Sequence, residues 1–209
     1  MGLDSYLMKM PRYNGATARD VSAVESYLSW KEKGTEYTLE EWCGLNKPPA
    51  QEYIDFYNEF YVAGEYGFKH ITEDVGYWRK ANQIHNWFVE NVQDGVDDCS
   101  SYIVSKEQIE ELLDVCIQVK DSITLIDGEV RNGQISKNGV MVDNIEPGKQ
   151  IVNSAVAEEL LPTCAGFFFG STDYDQWYAE DIYNTIEILE RILDDFDFES
   201  YTLLYSASW

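Results

Sequence analysis

An α+β fold is expected, a single domain (1–209) of amphipathic helices packed on a mainly antiparallel sheet, and three observations predict it. Segment 72–99 carries the longest helical period in the chain, with Trp78, Ala81, His85, Phe88 and Val92 at three- and four-residue steps. Segment 105–119 repeats the pattern. Between 123 and 142 the period changes to two, and Asp127-Gly128, Asn132-Gly133 and Asn138-Gly139 each suit a tight hairpin turn. With 44% apolar content over 209 residues, the chain can bury a proper core.

In order, 3–10 reads as a strand closed by Pro11, followed by a small-residue loop over 13–19. Asp20 is expected to cap a helix facing inward through Val21, Val24 and Leu28, extended to Lys31. Thr38 and Glu41 have capping-box spacing for a short turn bearing Trp42, and Lys47-Pro48-Pro49 breaks the chain. Ile54, Tyr57 and Phe60 or Tyr61 mark an aromatic-faced helix, then 65–71 reads as a strand.

The 72–99 segment is expected to be one helix and the hub of the fold. Thr72 would cap it, Glu73 and Asp74 would suit its positive end, and Asp94-Gly95 would close it. Arg79, Asn82, Asn86 and Glu90 would share its second face. Ser105 caps the next helix, with Ile109, Leu112, Cys116 and Val119 inward. Asn153 or Ser154 opens a helix ended by Pro162. Phe167-Phe168-Phe169 reads as a buried strand entering the last long helix, which turns Trp177 or Tyr178, Asp181 or Ile182, Ile186, Leu189 and Leu193 inward. A strand over 201–209 closes the chain.

Charge narrows the function. Asp and Glu total 38 against 15 Lys and Arg, a formal charge of -23, which repels nucleic acid and anionic membrane and attracts basic protein surfaces. No direct nucleic-acid partner and no membrane are expected. Solubility alone also accounts for such acidity. No apolar run approaches the eighteen or so residues of a span, and the N-terminal residues lack a secretory pattern, so a cytoplasmic location is expected. Gly2 invites myristoylation, but Tyr6 stands where that motif needs Ser or Thr. Cys43, Cys99, Cys116 and Cys164 have no paired spacing.

No catalytic residues, cofactor or metal site are assigned. His85 could serve as a base for Cys99 or a bound water, but a lone histidine on an apolar stripe reads first as a core residue. Acids at Asp97 and Asp98 disfavour a Cys99 thiolate, and Asp94, Asp97 and Asp98 lack the alternation of a calcium loop. Gly170-Ser171-Thr172 before a helix resembles a phosphate turn without its lysine. Thr172 with Asp175 is already explained as a capping box. A polar pocket remains as a candidate, with Arg79, Asn82, His85 and Asn86 facing Ser171 and Thr172, as for a nucleotide-like ligand; Arg79 and Lys80 together suit a phosphate or carboxylate there, or else pair with the surrounding acids. A candidate partner-binding surface comprises Glu107, Glu110, Glu111 and Asp114 with Glu187, Glu190, Asp194 and Asp195. Exposed tyrosines and Trp209 suit a homodimer interface and a core edge equally.

The blocks MGLDSYL, YWRKANQIHNWFVENVQDGVDDC, LLPTCAGFFFGSTDYDQWYAEDI and YSASW resemble a family of small proteins of tailed-phage and prophage genomes. The resemblance is weaker over 15–51 and 121–149. It implies one full-length domain in a host cytoplasm and brings no catalytic residues with it. In that setting an acidic inhibitor that sequesters a basic host protein, a counter-defence protein among them, ranks first. A small-molecule binder or sponge for a nucleotide-like ligand ranks second, and an enzyme using the same pocket third.

Overall fold

The computed structural model describes residues 2–33, 47–63 and 69–209. The expected turn around Thr38, Glu41 and Trp42 lies outside them, as does most of the 65–71 strand. The elements are β1 (Asp4–Pro11), α1 (Ala18–Lys33), α2 (Gln51–Tyr57) with a 3-10 turn, β2 (Val62–Ala63), β3 (Lys69–His70) and β4 (Glu73–Arg79), then α3 (Asn82–Val92) and β5 (Tyr102–Val104). They continue with α4 (Lys106–Ser122), β6 (Leu125–Lys137), β7 (Val140–Ile151), α5 (Ala155–Leu160), α6 (Gln176–Asp195) and β8 (Tyr201–Ser208). The fold is α+β. A four-stranded sheet runs in the order β4-β1-β8-β5, and β2-β3 and β6-β7 form two antiparallel pairs. Among the described residues no helix is long and apolar enough to cross a membrane.

The chain divides into two compact units, one of Met8–Asp74 with Asp197–Leu204, the other of Met1–Leu7, Val75–Phe196 and Tyr205–Trp209. In the first, Val21, Val24 and Leu28 of α1 pack with Met10, Tyr57, Ile71 and Leu204. Asp20 lies inside α1 rather than at its cap. Thr17 is the capping residue: its hydroxyl accepts from the Asp20 N–H at 3.3 Å, and the Asp20 carboxylate accepts from the Thr17 N–H at 2.8 Å. That reciprocal pair satisfies two free amides of the first turn.

In the second unit α4 and α6 pack on each other. Ile109, Leu112, Cys116 and Val119 are buried on α4, and Ile182, Ile186, Leu189 and Ile192 on α6; Leu193 is half-buried. Ser105 and Gln108 close a full capping box at α4, as expected.

The hub helix is shorter than expected. Residues 73–79 form a strand with alternating exposure, Gly76 and Trp78 buried and Tyr77 and Arg79 outward, so Thr72 caps nothing and Glu73 and Asp74 meet no helix dipole. The apolar steps from Trp78 to His85 fit a helix on paper, but Lys80 adopts φ 62° and divides strand from helix. Asp94 and Gly95, both at positive φ, do end α3. The β6–β7 hairpin runs beyond 142 to Ile151. Only Asn138-Gly139 makes its turn; Asn132-Gly133 sits where the register shifts, and Asp127-Gly128 lies in the ladder.

Phe167-Phe168-Phe169 is a turn rather than a strand. A side chain at Gly166 would collide with the Phe169 ring, so glycine lets the chain fold back and drive Phe169 inward while Phe167 stays 93% exposed. Asp175 itself caps α6, accepting from the Trp177 and Tyr178 N–H groups at 2.9 and 3.4 Å. The capping box expected between Thr172 and Asp175 does not form.

Candidate functional site

The end of β4, the start of α3, the turn before α6 and the outer part of the β6–β7 hairpin enclose a cleft of about 650 Å³. Asn82, the first residue of α3, organises it. Its buried amide donates to the carbonyls of Phe169 (3.1 Å) and Ser171 (2.8 Å) and accepts from the Cys164 N–H (2.8 Å). A single side chain thus ties α3 to both limbs of the 164–171 loop, and those bonds engage its polar groups. Buried backbone groups need such partners.

Arg79, Asn82 and Ser171 therefore converge, as expected, and all three line the cleft. Arg79 is exposed and 3.5 Å from Asp4. The Ser171 hydroxyl donates to Asp173 at 2.8 Å and accepts from Arg131 at 3.3 Å. Thr172 lines a neighbouring hollow with Arg131 and Asp173, and its carbonyl accepts from the Thr163 hydroxyl. Asn86 is half-buried on α3 and outside the cleft lining.

His85 belongs to the core. It is 1% exposed, with Nδ1 2.8 Å from the Tyr205 hydroxyl. Its Nε2 lies 3.2 Å from Asp97 Oδ1, near enough for charge attraction but outside hydrogen-bond alignment. Phe169 meets the ring edge-on at 5.2 Å and Trp209 packs 5.6 Å away. Burial lowers the histidine pKa, and the Asp97 carboxylate opposes that only in part. The ring is held neutral and sealed from the cleft. Asp98 is engaged locally, accepting from the Ser100 N–H and the Tyr102 hydroxyl, and among the described residues no group of three or more His, Cys, Asp or Glu is placed to hold a metal.

Several cleft residues escaped sequence reasoning because they come from distant segments. Arg131 arrives from β6 and pairs with Asp173 at 3.1 Å and, loosely, with Asp143 at 4.0 Å. Asp181 lines the cleft from α6 and accepts from the Gln83 amide at 3.0 Å. Burial pushes its carboxyl up to about 7. Phe167 and the partly exposed Trp177 supply aromatic walls. An amphipathic period on α6 foretold that Asp181 or Ile182 points inward, but nothing local foretold Gln83 opposite it.

The eight predicted surface carboxylates are all exposed, four on α4 and four on α6. Among the described residues Glu110 alone of them has a salt bridge, 3.6 Å to Lys106. On α6, Trp177, Glu180, Tyr183, Glu187, Glu190 and Asp194 recur at helical steps along one outer stripe, and each is exposed.

Comparison with family profiles, curated proteins and solved structures found no match.

Proposed function

We propose that this is a phage-type binding protein that inhibits or sequesters a host protein through a negatively charged surface, a counter-defence role where that host protein serves defence. The observation that carries the reading is the outer stripe of α6. There, exposed Trp177 and Tyr183 stand among carboxylates with no cationic partner among the described residues. Aromatic anchors within a charged rim suit a protein interface, and unpaired acids steer a basic partner toward it. Acids serving only solubility gain nothing from exposed aromatic side chains beside them.

The test is native mass spectrometry of the protein before and after incubation with host lysate, repeated with Glu187, Glu190, Asp194 and Asp195 changed to lysine. A partner that dissociates as salt rises, and whose association slows by roughly 10- to 1000-fold on charge reversal, supports the reading. Partner binding unchanged by reversal on both α4 and α6 excludes it.

A further inference from the structure

The cleft shares Trp177 and Glu180 with the outer stripe of α6 and adds Lys80 beside Arg79. Among the described residues no carboxylate lies within salt-bridge distance of the Lys80 ammonium, which is also true of Lys137 and Lys149, whereas Lys9, Lys106 and Lys120 each have one. The residue is nevertheless firmly placed. Its N–H donates to the Leu3 carbonyl at 2.8 Å, and its carbonyl accepts from the Asn82 N–H at 2.9 Å. Its backbone holds φ 62°, a conformation that strains a residue bearing a Cβ.

Its stem crosses Gly170, where a side-chain carbon would lie 3.1 Å from Lys80 Cβ, and its tip reaches Gly2. A side-chain carbon at Gly2 would lie 3.6 Å from Lys80 Cε and 3.8 Å from Arg79 Nη2. Lys80 and Arg79 thus both approach Gly2, at the distance of ordinary contact.

We propose that the cleft binds a nucleoside phosphate, its phosphate held between Lys80 and Arg79 and its base lying against Trp177 and Phe167. Arg79 lies 3.5 Å from Asp4, and most carboxylates that line the cleft are engaged by other groups. Arg131 pairs with Asp173 at 3.1 Å and lies 4.0 Å from Asp143. Asp175 is buried and caps α6, and Asp181 is largely buried against Gln83. That leaves Glu180 on the rim as the exposed carboxylate without an opposing cation. The aromatic walls offer the flat apolar surface on which bases stack whatever their identity. The volume is that of an ordinary small-ligand site.

Isothermal titration of the full chain with the four common ribonucleoside 5′-monophosphates, the matching nucleosides and inorganic phosphate tests this. At least one nucleotide should bind saturably, and its nucleoside and phosphate alone each far more weakly. Lys80→Gly removes the ammonium and relieves the backbone. Affinity should fall roughly 10- to 100-fold while the melting temperature holds or rises, because glycine accepts φ 62° freely. Arg79→Ala, at an exposed position, should weaken binding without a change in melting temperature, and the α6 charge-reversal protein should bind nucleotide as before. No saturable binding by any of the four nucleotides, phosphate binding as tightly as nucleotide, or undiminished binding by Lys80→Gly each overturns the proposal.

Discussion

His85 engages its ring inside the fold, which makes it a stability residue. Replacing it with Ala empties a packed volume and removes one partner of the Tyr205 hydroxyl, at a cost of about 2–4 kcal/mol in urea unfolding. Loss of nucleotide binding at unchanged stability would instead return His85 to the site. Asp181 has the opposite character. Burial lifts its carboxyl to about 7 from the ordinary aspartate value of about 3.9, so the folded state holds a proton that the unfolded chain releases. Its contribution to stability is therefore full below the unfolded value and is lost as pH rises through 7. Asp181→Asn keeps a partner for Gln83 and removes this slope, so its melting temperature should exceed that of the wild type by more at pH 8 than at pH 5. The His85 contribution runs the other way, weakening the fold as pH falls below about 6.5, and it cancels when the two proteins are compared at each pH. His85 was legible as a core residue because a lone imidazole lay on an apolar stripe. The carboxyl of Asp181 was not, because its desolvation comes from elements far away in the chain.

Elements ended by local chemistry were legible. Ser105 and Gln108 satisfy each other's backbone amides at 3.1 and 2.9 Å, so Ser105→Ala should cost about 1 kcal/mol in denaturant midpoint experiments, with the fold retained. Asn138-Gly139 between β6 and β7 is likewise decided within four residues, whereas Ser154 opens α5 without a side-chain bond to its amides. Segments whose pattern fits two periods were misread. Val75, Tyr77 and Arg79 alternate with buried Gly76 and Trp78 as a strand, yet Trp78, Ala81 and His85 also fall at helical steps. The three phenylalanines had strand composition, but Gly166 let the segment turn back on itself.

Across the molecule, the formal charge of -23 and the apolar periods by themselves determined that the chain is an acidic α+β protein with α4 and α6 exposing carboxylates. Periodicity and composition are local sums, and they survive any arrangement of the elements. The sequence also grouped Arg79, Asn82 and Ser171, and all three line one cleft. Tertiary structure alone decided what surrounds them. It brought Arg131 from β6 and Asp181 from α6 to the same cleft, closed His85 away behind Phe169 and Trp209, and left the Lys80 ammonium without a carboxylate. Pairing and desolvation depend on which distant segments meet, and that is set by packing the whole core rather than by the spacing of residues along the chain.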